Sequence, residues 1–178
     1  MQGNATHAQV QSSSAAPARM DDSTAAGWAG LIAGTLYLSA QMMLVTVVRD
    51  DSPWMPLQRI SALLLGPDAM APPGKITLTI AGFALLIHFP LSFVYGRLIG
   101  LLLRRVPPAL GWAGGAACGL AIYVLNFHVI GPLVFPWFED SQGAVTWFDH
   151  LLFGLVVAVT FFALRRQTVT ANNASPSR

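Results

Sequence analysis

The sequence predicts an all-α fold, namely an integral membrane bundle of four helices with a short interfacial helix between the first two spans. Of the 178 residues, 54% are apolar and only 10% are charged, whereas a soluble domain carries about 25% charged residues. The mean hydropathy of +0.56 points the same way. Four apolar runs also reach about 20 residues, the length that a helix needs to cross the hydrocarbon core.

The chain starts with a polar stretch and then enters the first predicted span. Residues 1–26 are rich in Ser, Ala, Gln and Thr and contain no long apolar run, so we expect a disordered N-terminal tail. The first span covers residues 28–48 and is closed by the charged triplet 49–51. Because lipid offers no partner for backbone N–H and C=O groups, an apolar run of this length is predicted to be a helix.

A short helix is predicted between the first and second spans. The pair Ser52-Pro53 is typical of a helix start, and Gly66-Pro67 is typical of a stop. Four apolar residues between them recur with helical spacing: Leu57, Ile60, Leu63 and Leu64. We expect this helix to lie across the end of the bundle at the membrane interface. A packed re-entrant cap is the alternative that the sequence does not separate from it.

The second and third spans both contain prolines. The second covers residues 76–103, which is long enough to require a tilt or a kink, and Pro90 offers the kink site. The third covers residues 111–135, and Pro132 disturbs its far end.

The fourth span covers residues 147–164, so the membrane domain comprises residues 27–166 and residues 167–178 form a second predicted disordered tail. Four spans put both termini on one side. The basic residues on that side are Arg19, Arg104, Arg105, Arg165 and Arg166. Those on the other side are Arg49, Arg59 and Lys75. The positive-inside rule therefore predicts that both termini lie in the cytoplasm.

Small residues recur four positions apart in three of the spans. Glycine at this spacing lets helix backbones approach closely, and van der Waals packing then holds the helices together in lipid. The glycines concerned are Gly30, Gly34, Gly96, Gly100, Gly111, Gly115 and Gly119. Their partner is either another helix of the same chain or a second copy. The expected partner is therefore the lipid bilayer, with a homo-oligomer as the outcome if the glycines meet a second copy.

Each span contributes polar side chains to the predicted outer half of the bundle. They are Gln41, His88, Asn126, His128, Asp149 and His150. Polar groups in lipid are costly and often functional. One interpretation is a polar cavity open to the outer side, whose histidines bind a ligand or exchange protons. The other is that these groups form interhelical hydrogen bonds that fix the packing. Asp149, near the start of its span, is expected to serve as a cap or to face the helix dipole.

The sequence carries no recognisable motif for catalysis, for a metal or for a cofactor. It contains no nucleophile elbow, phosphate-binding loop, dinucleotide fingerprint or HExxH motif. Haem would need two histidines at one depth, and His88 and His128 differ by about 8 Å at about 1.5 Å per residue. His128, His150 and Asp149 are too scattered to predict zinc. The basic residues form no stripe for nucleic acid. We therefore expect a protein that is not an enzyme and holds no metal or cofactor.

Several short strings resemble one family. They are Ser52-Pro53-Trp54, Leu65-Gly66-Pro67-Asp68, His88-Phe89-Pro90-Leu91-Ser92 through Tyr95-Gly96, Asn126-Phe127, Phe135-Pro136-Trp137-Phe138 and His150 through Gly154. Together they resemble the YagU-like family of small bacterial inner-membrane proteins, some of which carry the automatic label of sodium:proline symporter. The resemblance covers residues 28–165. It implies a four-span inner-membrane protein and assigns no catalytic or binding residue.

Three classes of function agree with these observations. The first, which the sequence favours, is a non-enzymatic membrane protein with a structural or stress-related role, oligomeric through its glycine faces. The second is a small transporter or channel component with an outer-half polar cavity that uses His88, Asn126 and His128. The third is a haem- or quinone-binding membrane protein.

Overall fold

The computed structural model of the protein describes residues 20–136, 138 and 143–173, with side chains up to residue 165. Over these ranges the regular structure is entirely helical, which confirms the predicted fold class. In chain order the elements are α1 (Asp22–Arg49), α2 (Met55–Leu65), a 3₁₀ turn (Pro67–Met70), α3 (Leu78–Leu103), α4 (Pro108–Val124), a π segment (Leu125–Ile130), α5 (Gly131–Val134) and α6 (Ala144–Asn173).

Four helical stretches are long and apolar enough to cross a membrane. They are Asp22–Arg49, Leu78–Leu103, Pro108–Val134 and Ala144–Arg165. Their outer surfaces carry large apolar side chains that would be unfavourable in water, such as Val47 at 76% exposure and Leu78 at 90%. The protein is therefore a multi-pass membrane protein, and the number and order of the predicted spans are confirmed.

Both ends of the membrane domain differ from the predicted tails. Helix α1 already begins at Asp22, because the Asp21 side chain caps it by accepting a 2.6 Å hydrogen bond from the Thr24 N–H. At the other end α6 stays helical to Asn173, since no glycine or proline interrupts residues 167–173. The disorder predicted for residues 22–26 and 167–173 is thus replaced by helix. The rest of the two predicted tails lies outside the described residues, apart from Met20 and Asp21.

Helices α1 and α6 form the centre of the bundle. Helix α3 packs on α1 and α4 packs on α6, whereas α3 and α4 have little contact with each other. Of the apolar stretch of α6, 44% is buried, against 17% for α3. Alanines of α1, such as Ala29 and Ala33, belong to one buried apolar cluster with Phe161 and Phe162 of α6. The end of the bundle away from the termini carries α2 and is called the distal end below.

Close packing of α1 against α3 depends on glycine. A Cβ added to Gly30 would lie 2.8 Å from the Gly96 Cα. One added to Gly34 would lie 2.6 Å from the Ser92 Cβ, and one added to Gly100 would meet Ala26. The two backbones can approach this closely only because these side chains are absent.

Helices α4 and α6 meet in the same way. A Cβ on Gly115 would meet the Gly154 carbonyl and Ala158, and one on Gly119 would meet the His150 carbonyl. Gly111 lies against the ring of Phe162. All seven glycines singled out in the sequence therefore lie at contacts within the chain, so their partner is internal.

Helix α2 forms where the sequence predicts it but buries a partly polar face. Gln58 is 0% exposed; its Nε2 donates to the carbonyls of Ala69 and Pro72 at 3.3 and 3.1 Å, and its Oε1 accepts from the Gly74 N–H at 2.7 Å. The loop after α2 folds back and needs partners for its backbone, which this amide supplies. Of the predicted apolar stripe, Leu57 is buried while Leu64 is exposed.

The third span begins at Pro108, because proline fits the first turn of a helix. Near its far end the helical geometry changes. Pro132 has no N–H, and its ring would clash with the carbonyl four residues earlier in an α-helix. The preceding residues 125–130 relax into a π segment, in which the Gly131 N–H donates to the Asn126 carbonyl five residues back. Asn126 belongs to this segment.

Candidate functional site

A cavity of about 420 Å³ lies between α3 and the π segment. Its walls are mainly apolar, with Ile87 and Leu91 on α3 and Ile122 and Ile130 across from them. The polar side chains that line it are Tyr37, Gln41, Arg59, His88, Tyr95, Asn126, Thr146 and His150. We call this cavity the cleft. It exists because α3 packs on α1 and α4 packs on α6, so that α3 and α4 have little contact with each other.

The structure brings four of the six predicted polar residues together. Gln41, His88, Asn126 and His150 all line the cleft. His128 does not, because its side chain is exposed on the outer surface, where it meets the ring of Tyr123 edge-on at 5.2 Å. The cleft is therefore lined by two of the three candidate histidines.

His88 is held by the backbone of α1. Its Nε2 lies 2.8 Å from the Gly34 carbonyl oxygen, and because a carbonyl can only accept, Nε2 carries the hydrogen. In the neutral ring Nδ1 then keeps a lone pair. The imidazole also stacks on Tyr37 with 5.8 Å between the ring centres. His88 is thus a fixed hydrogen-bond acceptor on the wall of the cleft.

His150 is held in the complementary way. Its Nδ1 donates to the Thr146 carbonyl at 2.8 Å, one helical turn earlier in α6. Nε2 therefore keeps the lone pair of the neutral ring, and within the described ranges it has no hydrogen-bond partner. The rings of Tyr37, Tyr123 and Phe127 surround the imidazole at 5.1, 5.7 and 5.4 Å between centres. This aromatic enclosure leaves the imidazole little freedom to turn.

A hydrogen bond closes the end of the cleft nearer the termini. The Tyr95 hydroxyl on α3 donates to Oδ1 of Asn126 at 2.8 Å. It links α3 to the third span, which otherwise have little contact. The Asn126 amide nitrogen keeps two N–H donors.

A cation lies among the distal residues of the cleft. Arg59 of α2 lines it and is paired with Asp51 at 3.7 Å. Its side chain is only 13% exposed. The cleft therefore offers acceptors on its histidines, donors on Asn126 and one positive charge from α2.

Asp149 lies away from the cleft and is fully buried at 0% exposure. Neither carboxylate oxygen has a hydrogen-bond partner in the part of the chain that the structure describes. The expected capping role is wrong, because α6 begins five residues earlier at Ala144 and the carboxylate accepts from no backbone N–H.

Four polar residues of the cleft were not among the sequence candidates, namely Tyr37, Arg59, Tyr95 and Thr146. Tyr37 precedes Gln41 by one helical turn and therefore lies on the same face of α1. Its ring contacts both His88 and His150. No feature of the sequence selected Arg59 as a site residue, because α2 was predicted from its apolar residues alone. In the described ranges, no group of three His, Cys, Asp or Glu side chains is placed to hold a metal ion.

Comparisons with protein-family models, with curated proteins and with solved structures found no match to this chain. The resemblance to the YagU-like family stays a prediction, and the chemistry of the cleft is the guide to function.

Proposed function

We propose that this membrane protein binds a small amphiphile of the quinol class in the cleft, without catalysing a reaction on it. The observation that carries the proposal is the state of the two histidines. Each commits one ring N–H to a backbone carbonyl and keeps the other nitrogen as an acceptor. A molecule with two hydroxyl donors on an apolar ring matches these two acceptors.

The size and walls of the cleft support the same class of ligand. Its volume of about 420 Å³ lies in the range of about 300–1,000 Å³ that is typical of small-molecule sites. Apolar walls with a few fixed polar groups give affinity through the ring and orientation through the hydroxyls.

The donors explain how the ligand's oxygen lone pairs are satisfied. Each hydroxyl oxygen also accepts hydrogen bonds, and the Asn126 amide and the Arg59 guanidinium lie on the lining of the same cleft. An oxidised quinone, which can only accept, leaves the two histidine nitrogens without partners. We therefore expect the reduced form to bind more tightly.

Haem is less well supported by this geometry. Two axial histidines must reach one iron, but Tyr37 contacts both His88 and His150 with its ring and occupies the space around them. His88 also turns its Nε2 to the Gly34 carbonyl.

The location follows the same proposal. The arginines near the termini support a cytoplasmic location of both termini, which puts the cleft in the outer half of the bilayer, and the family resemblance supports a bacterial inner membrane. A fluorescent-protein fusion at the C-terminus that fluoresces in the cytoplasm agrees with this orientation, and one that is active only outside contradicts it.

The proposal is tested by titrating duroquinol and duroquinone into the protein in nanodiscs, under anaerobic conditions. We expect His88→Leu and His150→Leu to weaken duroquinol binding by roughly three- to tenfold each, since one hydrogen bond contributes about 0.5–1.5 kcal/mol. His128→Leu is the matched control, because that side chain lies outside the cleft. Thermal unfolding of each variant shows whether it is folded.

Two results overturn the proposal. One is unchanged duroquinol affinity in folded His88→Leu and His150→Leu variants, which leaves the histidines a purely structural role. The other is an equal loss in His128→Leu, which shows that the loss is not specific to residues that line the cleft.

A further inference from the structure

A second cavity lies at the end of the bundle that carries the termini. It has a volume of about 380 Å³, lies between the start of α1 and the end of α3, and shares no lining residue with the cleft. Its polar lining residues are Asp22, Ser23, Arg97 and Arg104, and its apolar ones include Val94, Leu98 and Leu101. We call this cavity the arginine groove.

The arginine groove lies at the depth of the lipid headgroups. Helix α1 has 28 residues, which at about 1.5 Å per residue extend over about 42 Å. A bilayer that includes its headgroup regions is about 40–45 Å thick. The first turn of α1, which forms one wall of the groove, is therefore level with the phosphates of one leaflet.

The two arginines lie on the same face of α3. Arg97 and Arg104 are seven residues apart, which is two helical turns or about 10 Å along the axis. Val94, Leu98 and Leu101 belong to the same face, and about half of each side chain is exposed. An acyl chain can therefore lie along this face while its phosphate contacts the guanidinium groups.

An aromatic ring holds Arg97 on the wall of the groove. The guanidinium carbon lies 5.5 Å from the centre of the Phe93 ring, one helical turn earlier in α3. That ring is packed against Gly27 of α1. The ring orients the guanidinium through a cation–π contact and offers no oxygen as a hydrogen-bond acceptor, so Arg97 is positioned to donate to an anion.

The arginine groove has an excess of positive charge. Asp22 is paired with Arg165 at 2.9 Å, and Arg165 does not line the groove, so the charge of Asp22 is balanced from outside. In the part of the chain that the structure describes, no acidic side chain lies within ion-pair distance of Arg97 or Arg104. Two guanidinium groups are thus left at headgroup depth for an external counter-ion.

We propose that the arginine groove binds one anionic phospholipid. Its phosphate accepts hydrogen bonds from Arg97 and Arg104, the Ser23 hydroxyl donates to another headgroup oxygen, and one acyl chain lies along α3. Guanidinium groups suit a phosphate because each presents several N–H donors in one plane. A zwitterionic lipid fits less well, since its ammonium group brings a further positive charge next to the two arginines.

Native mass spectrometry of the full-length protein in detergent, titrated with dioleoylphosphatidylglycerol, measures the affinity for the first bound lipid. We expect Arg97→Gln and Arg104→Gln to weaken it roughly fivefold each, the contribution of one arginine next to an anionic lipid surface. Arg105→Gln is the matched control, because this exposed neighbour carries the same charge and does not line the groove. Its affinity for the lipid should equal that of wild type.

A second variant tests the shape of the groove rather than its charge. Leu101→Trp fills part of the groove and should also weaken binding of dioleoylphosphatidylglycerol. Because Leu101 is 53% exposed, the larger ring needs no change in the core. Circular dichroism of each variant shows whether it is folded.

Two further ligands identify the source of the phosphate. Dioleoylphosphatidylethanolamine has the same acyl chains and an added ammonium group, and it should bind more weakly than dioleoylphosphatidylglycerol. Glycerol 3-phosphate has the phosphate without the chains, and it should not displace the bound lipid.

Four results overturn the proposal. Unchanged affinity in a folded Arg97→Gln/Arg104→Gln double variant removes the site, and an equal loss in Arg105→Gln assigns the effect to general surface charge. Equal affinity for the ethanolamine lipid removes the preference for an anion, and displacement by glycerol 3-phosphate replaces the lipid by a soluble phosphate. Because no quinol is present and the two cavities share no residue, these results are independent of ligand binding in the cleft.

Discussion

Replacing Gly119 by alanine should force α4 away from α6. The added Cβ would lie 3.0 Å from the His150 carbonyl carbon and 3.1 Å from the Gly154 nitrogen, and closer still to the His150 carbonyl oxygen. These are backbone atoms of a helix, which cannot rotate aside as a flexible side chain can. Helix α4 must therefore shift as a body, and neighbouring contacts such as Gly115 with Gly154 lengthen with it.

Two opposing terms set the size of the effect. Alanine favours a helix interior over glycine by about 0.5–1 kcal/mol, whereas overpacking a close contact costs about 1–3 kcal/mol. Gly82→Ala on α3 isolates the first term, because nothing lies within 4 Å of a Cβ at that position. Relative to Gly82→Ala, we expect Gly119→Ala to lower the free energy of unfolding by about 1–3 kcal/mol.

Reversible unfolding in mixed micelles, followed by circular dichroism as the fraction of denaturing detergent rises, measures this difference. Asn126 lies two helical turns beyond Gly119, so the shift of α4 should also weaken duroquinol binding. Equal stability of the Gly119→Ala and Gly82→Ala variants would refute the reasoning, because it would mean that α4 and α6 do not depend on backbone contact at this point.

Two further predictions concern groups outside the spans. Gln58→Leu removes the partners of the Gly74 N–H and of two loop carbonyls, which should cost about 1–3 kcal/mol of stability. Limited proteolysis should therefore cut residues 66–75 faster than in wild type, whereas Gln41→Leu should leave this rate unchanged. A rate as slow as wild type in Gln58→Leu contradicts the role of Gln58. The hydrogen bond from Thr24 holds the pKa of the Asp21 carboxyl below its ordinary 3.8, so its contribution to the first turn of α1 is complete above that pH and is lost as the pH falls further. Hydrogen-exchange protection of the Thr24 and Ala25 amides should decrease at such pH values in wild type but not in Asp21→Asn, which caps without titrating; identical pH profiles contradict this.

The spans could be predicted because the length of an apolar run is fixed by the thickness of the bilayer. The ends of the helices could not. Asp21 caps α1 within a stretch whose composition is typical of disorder, and α6 continues because nothing interrupts it. Composition averages over many residues, whereas one cap or the absence of one breaker decides where a helix starts and stops.

The position of each polar residue along its span follows from the sequence, but its direction about the helix axis does not. Asn126 and His128 differ by two residues, or roughly 200° around a helix at about 3.6 residues per turn, so only one of them can face the cleft. A helix that is apolar all round gives no periodic signal to choose between them. The same problem affects the neighbours Asp149 and His150, of which one is sealed in the bundle and the other lines the cleft.

The hydrogen bond from His88 to Gly34 ties the wall of the cleft to a position where two helices touch. A side chain at position 34 would collide with Ser92 and would come within 3.4 Å of the bonded imidazole nitrogen. Neither position can therefore be varied alone in a mutant library without disturbing the other. Selection for an altered ligand should recover paired changes at positions 34 and 88, and the fitness effect of each change should depend on the other.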